Sequence, residues 1–233
     1  MWSVEGINGV GKTYLTGLVV GQLTRENRQP PVVLEEFSRR GTDTDLGHRL
    51  LGTLVEASGG ERFLRAGYPG SETLLLLAIK AHDYESVLDL LAAGHAVIEG
   101  RSLHSIAVYQ ALITHPTDED AAYGFATTLL ELAEQYRPLP DRTLLLTDDI
   151  DAAVRRAEAR NAEAFTPEQW ILHRRASALF ERLAAADPDR IVVLDRRKHD
   201  TSSLTAAMIE LLDESEPAGG AERARSASSS GEQ

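Results

Sequence analysis

The chain has 233 residues, 42% of them hydrophobic, which is enough for one sizeable core, and one domain is the default expectation. A formal net charge of −12 argues against a general nucleic-acid or acidic-membrane surface. Cysteine is absent, which excludes a disulfide framework and a thiolate zinc site, and the seven histidines show no metal-ligand spacing. No apolar run approaches the length of a membrane span, and a glycine-rich motif begins at residue 6, leaving no room for a signal peptide. A soluble cytoplasmic protein is expected. Arginines outnumber lysines 21 to three and are unevenly spread, so a local basic pocket remains open.

Met1 to Glu5 alternates apolar and polar residues, which suits a short strand. From Thr13 onward, Leu15, Leu18, Val19 and Leu23 recur at helical spacing. Between them stands Gly6-Ile7-Asn8-Gly9-Val10-Gly11-Lys12-Thr13, which meets the pattern G-x-x-x-x-G-K-[ST] in full. Glycine allows backbone angles that a side chain forbids, so such a turn aims several N–H groups into one concavity, with the positive end of the next helix behind it. The pattern predicts a phosphate-binding loop for ATP built from Gly6, Asn8, Gly9, Val10, Gly11, Lys12, Thr13 and Tyr14. Lys12, on a turn read as solvent-facing, reaches the terminal phosphates, and the Thr13 hydroxyl is offered to Mg²⁺.

Further along, apolar β-type runs follow breakers: Val32 to Leu34 after Pro30-Pro31, Ala96 to Ile98 after Gly94, Thr143 to Leu146 after Pro138 and Pro140, and Ile191 to Leu194 after Pro188. Amphipathic segments lie between them, at about 44–57, 71–93, 102–114, 118–136, 149–160, 167–186 and 201–213. Thr166-Pro167-Glu168-Gln169 supplies an N-cap, a proline at the first helical position and a capping-box partner. Asp148, Asp149 and Asp151 read either as a metal cluster or as carboxylates at a helix start, and the dipole favours the second. Strands alternating with helices predict an α/β protein: a three-layer P-loop NTPase fold, a parallel five-stranded sheet with helices on both faces. That single domain is expected over 1–213. Residues 214–233 are rich in Ser, Gly, Ala, Glu and Arg without apolar period and read as a disordered tail.

Ligands of open parallel sheets bind outside the carboxyl ends of the strands. The polar residues there are Glu35, Glu36, Arg39 and Arg40 after the second run, and Glu99, Gly100, Arg101 and Ser102 after the third. Thr147, Asp148 and Asp149 follow the fourth, and Asp195, Arg196 and Arg197 the fifth.

With these residues in place, the chain resembles the thymidylate kinase family. That family opens with E-G-x-D-G-x-G-K-[ST], matched here from Glu5 to Thr13. Gly41-Thr42 and Leu46-Gly47 resemble its next loop, Ala78-Ile79-Lys80-Ala81-His82 its A-x-R-A-x-H helix, and "EGRSLHSIAVYQ", 99 to 110, its D-R-[YF]-x-x-S-x-x-A-Y-Q segment. Arg155, Arg156 and Arg160 match its arginine-rich lid helix, and "DPDRIVVLD", 187 to 195, its last strand. The resemblance implies phosphoryl transfer from Mg-ATP to a nucleoside monophosphate such as dTMP, a short lid near 155–166, and a homodimer formed through helices near 44–57 and 71–93. It implies catalytic roles for Lys12, Arg101, Arg156 and Arg160, with Arg156 also at the ATP. Acceptor contacts would come from Arg39, Lys80, Arg101, Tyr109 and Gln110. Four departures stand out. Asn8 and Gly100 replace family aspartates, Lys80 replaces an arginine and lacks its bidentate fork, and Glu35-Glu36-Phe37-Ser38-Arg39 replaces R-E-P.

The departures leave the acceptor open. A phosphate acceptor needs cations, which Arg101, Lys80 and Arg39 would supply. A hydroxyl acceptor needs a general base, and Glu36 or Glu35 would serve. With no carboxylate at position 100, a backbone irregularity at Gly100 is expected to turn Glu99 toward the Mg²⁺. An N-K-x-D guanine motif and a D-x-x-G switch are absent from the sequence, which counts against a GTPase switch. A non-catalytic nucleotide-binding regulator is the other alternative.

Overall fold

A computed structural model of the chain describes residues 1–34, 45–61 and 63–214. Five strands form one parallel sheet in the order β2-β3-β1-β4-β5, with β1 Trp2–Glu5, β2 Val32–Leu34, β3 Val97–Gly100, β4 Arg142–Thr147 and β5 Ile191–Asp195. The helices around it are α1 Lys12–Arg25, α2 Leu46–Ala57, α3 Pro69–Glu85, α4 Leu88–Ala92, α5 Leu103–Thr114, α6 Glu119–Ala133, α7 Ile150–Asn161, α8 Pro167–Ala186 and α9 Thr201–Glu214. The P-loop NTPase architecture expected from the alternating pattern is therefore present. The glycine loop leaves β1, the middle strand, with β3 on one side and β4 on the other.

The strands read as apolar runs because a parallel sheet is covered on both faces. β1 is buried along its whole length, and in β4 only Arg142 is exposed. The edge strand β2 is short, and Val33 stays 41% exposed. Helix α5 is buried from Leu103 to Leu112 and packs against α3, α6 and α8, while α1 packs against α9.

Local chemistry sets the helix ends. Asp149 accepts from the Ala152 N–H at 2.8 Å and caps α7, so the aspartates at 148–151 belong to a helix start. No group of three metal-binding side chains occurs among the described residues. Thr166 and Gln169 form the expected capping box of α8. The segment expected as one helix over 71–93 is broken at Ser86 and Val87. Ser86 donates its hydroxyl to the Asp83 carbonyl, and the Val87 N–H bonds the Tyr84 carbonyl, which tightens the last turn. Val87 is buried, so the chain turns inward before α4. Helix α9 runs through Glu214, the first residue of the tail expected from 214 onward, and 215–233 lie outside the described residues.

Two site expectations are corrected by the core. Glu99 is fully buried, and its carboxylate lies 2.9 Å from the Lys80 ammonium and 3.0 Å from the Arg137 guanidinium. Arg137, in the turn after α6, spans both carboxylate oxygens and also donates to the Lys80 carbonyl at 3.1 Å. Asp83 stands 3.4 Å from Lys80 and balances the charges. Glu99 and Lys80, expected at the Mg²⁺ and at the acceptor, are thus paired with each other in the core. The backbone is regular at Gly100, which pairs with Val4; the irregularity falls on Arg101, at φ 59°.

Removing one partner of a buried ion pair strands the other in a low dielectric. Burial raises the Glu99 pKa, but Lys80 and Arg137 outweigh it and hold the carboxyl below its ordinary value. A depressed carboxyl pKa contributes stability above the unfolded value and loses it as pH falls through the folded one. We therefore expect Glu99→Gln to lose about 3–5 kcal/mol in urea unfolding at neutral pH, with magnesium restoring none of it. The difference from the parent protein should shrink as pH is lowered below the ordinary carboxylate range.

Candidate active site

The phosphate loop is pressed against its neighbours so closely that glycine is required. A Cβ on Gly9, at φ +84°, would stand 1.8 Å from the Ala153 carbonyl oxygen of α7. One on Gly6, at φ +128°, would stand 2.4 Å from the Leu146 carbonyl oxygen of β4. Ile7 and Val10 are buried and anchor the turn from below. Lys12 is only 5% exposed, contrary to the solvent-facing turn expected, and its ammonium donates to the Gly6 and Ile7 carbonyls at 3.0 and 3.1 Å. Those bonds hold a cation at the mouth of a ring of backbone donors. Thr13 lines the adjoining cavity, while Tyr14 points outward at 61% exposed.

Two arginines fasten the outer side of the loop. Arg156 on α7 donates to the Gly9 carbonyl at 2.9 Å and pairs with Asp148. Arg196, directly after β5, donates to the Val10 carbonyl at 2.7 Å, and its Nε lies 3.9 Å from the same Asp148 carboxylate. Sequence reading named Arg196 at a strand end but gave it no role; only the fold brings it to the loop. Next to it, hydrogen bonds from Arg197 hold the Asp195 carboxyl down to about 2.

The other side of the loop begins at Glu5, read from the sequence as a strand end and the first residue of the family motif but given no role. Its carboxylate, fully buried, accepts the backbone N–H and hydroxyl of Ser102, each at 2.8 Å, and the N–H and hydroxyl of Ser105. It therefore caps α5 from another strand, and the charge lies at that helix's positive end. The signals were its place at the head of the motif and the alternation that put Ser3 and Glu5 on one face of a buried strand. Arg101 precedes this cap in a left-handed conformation, unusual for a residue with a side chain. Its guanidinium donates to the Asn8 side-chain oxygen and lies 5.8 Å from the centre of the Tyr109 ring.

A cavity of about 490 Å³ opens at this junction. Asn8, Thr13 and Arg101 form its polar floor, and Arg160 and Asn161 stand at the end of α7 on its rim. Leu51, Leu76 and Ile106 give an apolar wall. Gln110 faces the same space and is fixed by the Thr73 hydroxyl, 3.0 Å from its oxygen. Burial raises the Tyr109 hydroxyl pKa despite the neighbouring Arg101, so it remains neutral. Glu61 is the cavity's described carboxylate, but it accepts from the Phe63 and Arg65 N–H groups and the Arg65 guanidinium at 2.8, 3.2 and 2.7 Å. Burial alone would raise its pKa; the Arg65 bonds bring it below the ordinary value, which makes it a poor base. Glu36 and Arg39, the remaining acceptor candidates, lie outside the described residues.

The structure therefore brings together Asn8, Thr13, Arg101, Tyr109, Gln110 and Arg160 around one cavity, with Lys12 and Arg156 on the loop beside it. Lys80 and Glu99 are not in this group. A polyphosphate fits the glycine loop, whose close packing leaves its backbone as the lining. Magnesium fits in part: Thr13 offers a hydroxyl, and the ion keeps waters and phosphate oxygens for its remaining positions.

The thymidylate kinase family model matches residues 4–205. A thymidylate kinase of Chlamydia trachomatis serovar D is 30% identical over 213 residues, covering 89% of this chain and 96% of that protein. One from Cupriavidus pinatubonensis is 31% identical over 212 residues, covering 89% and 93%. Among solved structures, a thymidylate kinase from Ehrlichia chaffeensis matches with a TM-score of 0.60 at 19% identity, covering 91% of this chain and 97% of that one, and shows the shared fold. The chain belongs to the thymidylate kinase family and is a P-loop kinase.

Proposed function

We propose that this protein transfers the γ-phosphoryl group of Mg-ATP to the phosphate of a nucleoside monophosphate of the dTMP type, giving ADP and the nucleoside diphosphate. The observation that carries the reading is the cavity in which Thr13 and Asn8 of the phosphate loop share a floor with Arg101. An anionic acceptor needs a cation to hold it and no general base, and the carboxylate on this cavity's wall is already engaged with Arg65. A hydroxyl acceptor would instead depend on Glu35 or Glu36.

The residue roles derive from charge and position. The loop N–H groups and Lys12 hold the β- and γ-phosphates, Tyr14 flanks the ATP, and Arg101 holds the acceptor phosphate in line with the γ-phosphorus. The acceptor oxygen forms the new bond as the bond to the β-phosphate oxygen breaks. Charge on the moving group is met by Lys12, Arg156 and Arg160. Thr13 would help hold a magnesium ion, which would supply further positive charge there. Tyr109 and Gln110 line the space for the sugar and base, and Arg39 adds to the acceptor side.

The stretch 155–166 is the lid, hinged where Ala162 takes a left-handed conformation at φ 53°. Exposed Leu46 on α2 and Leu74 on α3, at 59% and 64%, support a homodimer through these helices. No described helix is long and apolar enough to cross a membrane. A cytoplasmic site of action belongs to the same proposal.

ADP release from Mg-ATP should require an added acceptor, dTMP above the nucleosides; release that ignores every acceptor would favour a nucleotide-binding regulator. Lys12→Met keeps the buried stem and removes the charge, so turnover should fall by roughly 10²–10³ with little change in melting temperature. Arg101→Ala should raise the acceptor's KM by roughly 10- to 100-fold, the worth of a charged hydrogen bond, and leave the KM for ATP nearly unchanged.

A further inference from the structure

His173 has no part in the reaction just described, yet it touches the machinery at its centre. It sits on α8, fully buried. Its Nε2 accepts the backbone N–H of Asn8 at 3.2 Å. A partly buried N–H is best satisfied by an acceptor, and this one is engaged with the imidazole. The accepting nitrogen carries no proton, which fixes the neutral tautomer with the proton on Nδ1.

The ring is held by three aromatic side chains from three separate segments. Its centroid lies 5.5 Å from that of Phe63 in the loop after α2, 4.8 Å from Phe165 just before α8, and 6.4 Å from Tyr109 on α5. These edge and tilted contacts fix the imidazole plane, and so the direction from which Asn8 is held. The side chain of Asn8 then accepts from Arg101. One continuous chain of contacts thus runs from α8 through the phosphate loop to the acceptor arginine.

We propose that His173 is a positioning residue: by accepting from the Asn8 peptide it orients the Asn8 side chain, which holds Arg101 over the acceptor cavity. The proposal rests on the acceptor role given to Arg101 above. It separates the ring's packing from its hydrogen bond. His173→Phe keeps an aromatic ring in the same cage and removes the acceptor; His173→Gln loses the ring but returns an oxygen near the place of Nε2.

The test combines kinetics with spectroscopy. His173→Phe should melt within a few degrees of the parent protein and raise the KM for dTMP about tenfold, roughly the worth of one lost hydrogen bond. His173→Gln should bring the KM back to within threefold. A purely structural side chain would give the reverse, a normal phenylalanine variant and an impaired glutamine variant, and would overturn the proposal. Nitrogen-15 spectra of the parent protein at neutral pH should show His173 protonated on Nδ1 alone; a proton on Nε2 overturns it as well. That measurement needs no turnover. It decides the matter if the phenylalanine variant fails to fold, or if the parent protein phosphorylates no acceptor and the proposed function itself falls.

Discussion

The fold's two working halves meet at the carboxylate of Glu5. This residue ends β1 and stands directly before Gly6, so its backbone fixes where the phosphate loop begins. Its side chain caps α5 through Ser102 and Ser105, so it also fixes where Arg101 leaves β3. Four donors converge on one fully buried carboxylate, and each would be stranded without it. The Ser102 hydroxyl, which would ordinarily cap its own helix, instead donates to Glu5, and Ser102 makes no side-chain cap of its own. The spacing between the phosphate loop and Arg101 is therefore set by bonds between the end of β1 and the start of α5, a stiffer link than a loop.

Glu99 shows how a second buried carboxylate, one strand away, has a different task. Ser3 pairs with Glu99 across the sheet, and Val4 with Gly100. Successive strand residues point to opposite faces, so a regular β3 commits Glu99 to one side and leaves the turn to the residues after Gly100. Lys80 and Arg137 reach Glu99 on that side and make burial tolerable by pairing it twice. The sharp change of direction then falls on Arg101, whose left-handed backbone carries its guanidinium toward Asn8 rather than along the strand. A carboxylate aimed at magnesium from Glu99 would have required breaking both ion pairs.

Legibility in the sequence depended on the range of the forces involved. The glycine loop was legible because its spacing encodes a local backbone shape, and the strands because parallel sheets demand short apolar runs between breakers. The caps at Asp149 and Thr166 were legible for the same reason: donor and acceptor are three residues apart. The break between α3 and α4 escaped because the apolar pattern continues through Ser86. Contacts between distant residues escaped altogether. Arg137 meets Glu99 across 38 residues and His173 meets Asn8 across 165, and neither pairing leaves a periodic trace. The resemblance to a family pointed to several residues that line one cavity, but it also pointed to Lys80, which is paired with Asp83 and Glu99 in the core.

That withdrawal of Lys80 bears on recognition. Its charge is met by Glu99 and Asp83 inside the core, so it lends nothing to the cavity. Arg101 lines the cavity, and Leu51, Leu76 and Ile106 line it with apolar groups. Charge at one end and apolar surface at the other suit a ligand with a phosphate head and a flat, weakly polar body. Gln110, whose oxygen accepts from the Thr73 hydroxyl, also lines this space. Phosphoryl chemistry therefore resides in backbone geometry that tolerates almost no change, as the contacts of Gly6 and Gly9 show. The wall residues Leu51, Leu76 and Ile106 come from α2, α3 and α5, and none of them is among the nearest neighbours of a Cβ at Gly6 or Gly9.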